Sequence, residues 1–170
     1  MRPFLLMLCG LLFTCSAWAQ APKSSGHTAA EAKAVETTVL RFFDAMRAGD
    51  TTAMRSFLAP NARLLSVGAT KDGSVLPRET PINAFLKAVG QPHPQALDER
   101  IWGSKVEIDG DLATLWCQYA FYVGDQFSHC GADAFQLFRS PQGWKIFSIA
   151  DTRRKENCDL PAGVKNKAKN

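Results

Sequence analysis

The chain has 170 residues, of which 46% are hydrophobic and 21% charged, and its formal net charge is +4. This is the balance of an ordinary globular protein, and the length suits one domain around a single sizeable core. No repeat, low-complexity tract or internal linker divides it. Much of the positive excess lies at the C-terminus, in Arg153, Arg154, Lys155, Lys165, Lys167 and Lys169. Those residues read as a solvated, flexible tail over 153–170 rather than a nucleic-acid surface.

The first residues form a unit of their own. Arg2 gives a positive start, Phe4 to Phe13 is almost wholly apolar, and Ala17-Trp18-Ala19 is a small-x-small cleavage signal before Gln20. This is the layout of a secretory signal peptide over residues 1–19. A membrane anchor needs roughly 18 or more apolar residues, and Thr14 and Ser16 interrupt the run too early. A lipid attachment at Cys15 is disfavoured by the bulk of Phe13. The sequence therefore predicts an exported protein, periplasmic or secreted, with no stable membrane anchor. Residues 20–27 are a flexible lead-in, and the folded domain spans 28–152.

Helical periodicity dominates the next segment. From Thr28 to Ala48, Ala34, Val35, Thr38, Val39, Phe42, Phe43 and Met46 recur at spacings of three and four, with charged residues mostly on other faces. Thr28 with Glu31 is a capping-box pattern. Gly49-Asp50 ends this helix, and Asp50 can cap a second one from Thr51 to Leu58 that stops at Pro60. A strand is expected over Ala62 to Val67, and a polar loop over Gly68 to Pro77. A third helix runs from near Pro81 to Val89, where Gly90 stops it. Pro92 and Pro94 make 91–95 a loop.

From Ile101 to Thr152 the chain reads as consecutive antiparallel strands. Asp109-Gly110-Asp111 marks a turn, Gly124-Asp125 a tight hairpin, and Ser140-Pro141-Gln142-Gly143 another before Trp144. Helices followed by a run of antiparallel strands define an α+β class.

The chain also resembles the nuclear transport factor 2-like superfamily, which includes SnoaL-like cyclases, ketosteroid isomerases and lumazine-binding-type proteins of bacteria. The resemblance rests on Phe42-Phe43-x-Ala45-x-x-x-Gly49-Asp50, Leu58-x-Pro60-x-Ala62, Gly110-Asp111-x-Ala113, His129-x-Gly131-x-Asp133-x-Phe135-x-Leu137 and Gly143-Trp144-Lys145-Ile146. It implies a cone-shaped fold, a curved sheet wrapped around helices with an open pocket at one end. Many members are homodimers.

Pairing Val123 with Gln126 around Gly124-Asp125 fixes a register for the central hairpin. Alternation then puts Trp116, Gln118 and Tyr122 on one face with His129, Gly131, Asp133, Phe135 and Leu137. If Leu137 faces Trp144, then Ile146, Ser148 and Ala150 join them. Gly131 would leave a gap among Gln118, His129, Asp133 and Ser148, a pocket-like set of convergent polar groups against an apolar wall. The candidate ligand-binding residues are Trp116, Gln118, Tyr122, His129, Gly131, Asp133, Phe135 and Ser148. The opposite face, with Leu115, Cys117, Tyr119, Phe121 and Phe147, is too apolar to be left in water and is expected to pair two copies of the chain.

Beyond the leader, Cys117, Cys130 and Cys158 remain. One disulfide and one free thiol fit an oxidising compartment, as Cys117–Cys130 or as Cys130–Cys158. No Cys or His pair has metal-ligand spacing, and no nucleophile motif, phosphate loop or cofactor fingerprint occurs. The sequence thus predicts a cofactor-independent protein whose partner is a small apolar or aromatic ligand, with no nucleic acid. An enzymatic alternative is an isomerase, cyclase or dehydratase using His129 and Asp133 as an acid/base pair. A further alternative is a dimeric interaction module without a ligand.

Overall fold

The computed structural model describes residues 27–165. The predicted signal peptide lies outside them. Helix α1 (Ala29–Arg47) starts as the capping box requires. The Thr28 hydroxyl accepts from the Glu31 N–H at 3.2 Å and the Glu31 carboxylate accepts from the Thr28 N–H at 3.0 Å. Its apolar stripe, Val35, Val39, Phe42, Phe43 and Met46, is buried. Helix α2 (Thr51–Phe57) is capped by Asp50, whose side chain accepts from the Ala53 N–H at 2.9 Å.

Strand β1 (Leu58–Ala69) begins earlier than expected, running through Pro60. Strand β2 (Val75–Thr80) occupies part of what the sequence marked as loop. It lies at the sheet edge with every residue exposed, so it has no alternating pattern to betray it, and Pro77 is tolerated there. Helix α3 (Ile82–Val89) follows. Then come β3 (Leu97–Asp109), β4 (Leu112–Val123), β5 (Gln126–Ser140), β6 (Gly143–Thr152) and the short α4 (Ala162–Lys165).

The strands form one six-stranded sheet in the order β2-β1-β6-β5-β4-β3, with β1 and β6 parallel and the other pairs antiparallel. The sheet is curved and unclosed around the helices, the α+β cone that the resemblance implied. The inner face of β3 to β6 packs against α1, and Phe43 meets Phe135 edge-on at 5.8 Å. Ile108, Ala113, Leu115, Phe135, Leu137, Trp144 and Ile146 make this an apolar core with the helix stripe.

Two bulges set the register. The Gly124-Asp125 turn pairs Val123 with Gln126 and Tyr122 with Phe127, as expected, but Phe121 then pairs with His129 and leaves Ser128 extra. On the other side, Gln136 pairs with Ser148 while Leu137 pairs with Ile146, leaving Phe147 extra. Each extra residue reverses which side chains share a face.

The face expected to join two copies is therefore the inside. Leu115, Cys117 and Tyr119 are buried, and Phe121 packs against the same core. The outer face instead exposes Leu112 (49%), Trp116 (48%) and Phe138 (37%).

Residues 153–165, expected as a flexible tail, form a strap. Arg154 and Cys130 exchange backbone hydrogen bonds at 2.9 Å each, and Cys130 is disulfide-bonded to Cys158 with a Cα separation of 6.0 Å. Among the described residues, Cys117 is the free, buried thiol. Beyond the disulfide, Leu160 and Val164 pack with Ala120, Tyr122 and Trp102, and Arg100 Nη1 donates to the Val164 carbonyl at 2.7 Å. Apolar residues at 160 and 164 and a cysteine at 158 overrode the basic composition.

Candidate active site

The inner face changes character toward the β4–β5 turn. Past Leu115 and Phe135 come Cys117 opposite Asp133, Tyr119 opposite Gly131, and Phe121 opposite His129. From β3, Glu99 is paired with Phe121 and Ile101 with Tyr119, and from β6 Asp151 is paired with Asp133. Strand alternation thus delivers Glu99, Asp133 and Asp151 to one face.

Asp133 is 2% exposed and Asp151 8%. Glu99 and Asp133 share a side-chain hydrogen bond. A bond between two carboxyls forms only when one of them carries a proton, so the arrangement favours the singly protonated pair. Burial, then the Glu99 charge, pushes Asp133 well above the usual carboxylate range. Burial pushes Glu99 up to about 7, against the Asp133 hydrogen bond that lowers it. The Cys117 thiol lies 3.9 Å from Asp133 Oδ2 and is raised by burial and then by the Asp133 charge, so it stays a thiol. Asp151 Oδ2 accepts from Arg153 Nε at 2.7 Å, while its buried Oδ1 has no hydrogen-bond partner.

Aromatic groups flank the carboxyls. His129 stacks on Phe121 at 5.1 Å and meets Tyr119 edge-on at 5.7 Å, with Nδ1 3.0 Å from Ser128 Oγ. Burial and then the Arg153 charge hold its pKa below the usual imidazole value. The Tyr119 hydroxyl donates to the Thr152 carbonyl at 2.9 Å. A cleft of about 200 Å³ reaches Glu99 between α1 and the strap, lined by Leu40, Phe43, Ile101 and Val164 together with Asp44, Arg47 and Arg100.

The eight residues nominated from sequence are divided by the bulges. His129, Gly131, Asp133 and Phe135 are on the inner face. Trp116 is exposed outside, Gln118 lies near the disulfide, and Ser148 pairs with the outward Gln136. Tyr122 is buried under the strap, with the Arg100 guanidinium 3.8 Å from its ring centroid. Phe135 is core. Gly131 leaves no gap: a Cβ there would lie 1.8 Å from the Thr152 carbonyl oxygen and 2.5 Å from the Tyr119 ring. Its small size serves a close approach of chain to chain. The partner of Asp133 is Glu99 rather than His129. Sequence reading missed Glu99 and Asp151. The alternation of Leu97, Glu99 and Ile101 was the available signal for the first.

Comparison with known proteins settles the family. Residues 30–150 match the sequence profile described as "Putative lumazine-binding". The chain belongs to this lumazine-binding-type family. No curated protein matches it. Solved structures of nuclear transport factor 2-like proteins share the fold. One is a Pseudomonas putida protein of unknown function (TM-score 0.61, 18% identity, 80% of this chain and 99% of that one). Another is a Novosphingobium aromaticivorans protein with a cystatin-like fold (TM-score 0.59, 14% identity, 82% and 90%). A Nostoc punctiforme protein of unknown function, described as having a cystatin-like fold, also matches, with a TM-score of 0.60 at 11% identity, covering 78% and 98%. The chain is thus a lumazine-binding-type protein with its carboxyl pair inside the nuclear transport factor 2-like cone.

Proposed function

We propose that this protein binds a small, flat, mostly apolar molecule in the cleft that reaches Glu99. The carrying observation is the paired Glu99 and Asp133 carboxyls behind walls of Leu40, Phe43 and Ile101. Apolar walls supply burial of the ligand body, and the carboxyl pair fixes its polar edge. The size of the cleft limits the inserted part to about one ring, since ligand pockets for drug-sized molecules run to roughly 300–1,000 Å³. Native mass spectrometry of protein purified from its own source tests this. A co-purifying small molecule, lost in Glu99→Leu, is the expected result. Absence of any bound molecule from the wild type, with no thermal stabilisation by a set of aromatic fragments, overturns it.

The pair also favours a second reading, a cofactor-independent isomerase or dehydratase. A carboxyl that titrates near 7 can give or take a proton at neutral pH. In that case Asp133→Asn retains ligand binding and loses turnover. His129, on the same face, would tune the local charge.

Export to the periplasm or medium is part of the proposal, resting on residues 1–19 and supported by the Cys130–Cys158 disulfide. A second copy is proposed to cover the outer face at Leu112, Phe138 and Trp116. Leu112 and Phe138 are cross-strand partners, and Phe138 meets Phe147 at 6.4 Å, so the apolar surface is continuous. Equilibrium sedimentation that shows a dimer for wild type and a monomer for Trp116→Lys supports this; a monomeric wild type at micromolar concentration contradicts it.

A further inference from the structure

The Cys130–Cys158 disulfide sits at a surface cavity of about 240 Å³, lined by Trp102, Gln118, Cys130, Arg154, Cys158 and Asp159. The two sulfurs are unequal. Cys130 is 1% exposed on β5, whereas Cys158 is partly exposed on the strap. The cavity is large enough for a small thiol, and Arg154 and Asp159 are both part of its wall. Attack on a disulfide needs a thiolate with access to one sulfur, and a nearby cation favours both the incoming and the leaving thiolate.

The same strap that carries Cys158 also bounds the Glu99 cleft. Gly163 and Val164 form part of its wall, opposite Leu40 and Phe43 of α1. Beyond the disulfide, what holds α4 down is local. Val164 and Leu160 pack on Tyr122 and its neighbours, and Arg100 donates to the Val164 carbonyl. Four residues of helix cannot hold themselves in place without such contacts.

We propose that Cys158 is a thiol-exchange site whose modification releases the strap and opens the Glu99 cleft. The incoming partner is a small aliphatic thiol. Its thiolate forms a new S–S bond to Cys158 Sγ, the Cys130–Cys158 bond breaks, and Cys130 leaves as a thiolate that takes a proton from water. No net oxidant or reductant is consumed, because the disulfide bond is exchanged rather than removed. A second thiol can then reduce the mixed disulfide, releasing a symmetrical disulfide and the free Cys158 thiol. The buried Cys117, beside Asp133, takes no part.

The test treats the folded full-length protein with 2-mercaptoethanol, quenches with acid, and maps adducts by peptide mass spectrometry. Hydrogen exchange is followed in parallel. The expected result is a single mercaptoethanol adduct on Cys158, with loss of amide protection in 160–165 and around Glu99, while the β4–β5 core stays protected. An adduct on Cys130 or on Cys117 overturns the proposal, because it shows attack from another side or global opening. So does the absence of reaction at thiol concentrations that reduce a linear disulfide peptide. An adduct on Cys158 with unchanged protection of 160–165 overturns the release of the strap. The Cys130→Ser/Cys158→Ser variant, which has no bond to exchange, is expected to show the open pattern without thiol; a closed strap in that variant also contradicts the proposal.

Discussion

One face of one sheet carries two chemistries. At one end Leu115, Phe135, Leu137 and Ile146 meet Val35, Val39 and Phe42 in a sealed apolar core. A few residues further along the same strands, the corresponding positions are Cys117, Tyr119, Asp133 and Asp151. The apolar end supplies folding energy by removing surface from water. The polar end spends some of it, since carboxyl groups held away from water disfavour their own ionisation. Stability and chemical capability are therefore separated along the strands rather than between layers of the molecule.

Mutations should respond according to the end they touch. Leu137→Ala, in the sealed end, should lose about 2–5 kcal/mol in urea unfolding through lost burial and the cavity left behind. A loss below that range would mean the core relaxes around the hole. Gly131→Val should come next, at about 3 kcal/mol, because the new side chain meets the Thr152 backbone carbonyl and cannot be accommodated by a rotamer change. A normal melting temperature for this variant would show that β6 does not approach β5 there as described.

At the polar end the sign reverses. Asp133→Asn removes a group that must take up a proton to stay buried, and at pH 8 should raise the thermal unfolding midpoint modestly while leaving the shape unchanged. The pH dependence follows from the same shifts. Glu99 and Asp133 have raised folded-state values, so the native state holds protons that the unfolded chain has already lost. Their contribution is fully present below the ordinary carboxylate range and is lost as pH rises, for Glu99 through about 7. Thermal unfolding of the wild type should accordingly rise as pH is lowered from 8 toward 5, and Glu99→Gln should flatten that slope. His129 works against it. Its lowered value means the native state resists protonation, so its contribution grows as pH rises through the ordinary imidazole range. The effect is the smallest of the set because the ring is partly solvated. His129→Gln should steepen the gain on acidification, and a shallower profile would contradict the assignment.

Much of the architecture was legible in sequence because it rests on periodicity and caps. Thr28 and Glu31 marked the start of α1, and the Gly124-Asp125 turn located the central hairpin and its first pairs. The site was only half legible. Asp133 was visible as a charged residue in an apolar strand, but its neighbours depended on the extra residues Ser128 and Phe147. A bulge without glycine has no distinctive composition, yet it moved Gln118, Trp116 and Ser148 to the outer face. Glu99 was hidden for another reason: the strand that presents it was read as starting after it. The disulfide lay among the alternatives that cysteine count left open, and only the path of the strap selects Cys158.

The shared proton is the centre of this account, and a pH titration of the side-chain carboxyl carbons by ¹³C NMR observes it directly. With Glu99 assigned through loss of its signal in Glu99→Gln, the expected result is a midpoint near pH 7 that rises further when Asp133 is replaced by Leu, because the hydrogen bond that lowers it is lost while the burial that raises it remains. A Glu99 midpoint between about pH 4 and 5 in the wild type, unaffected by that replacement, would show that the carboxyls do not share a proton and that the inner face carries no acid/base pair.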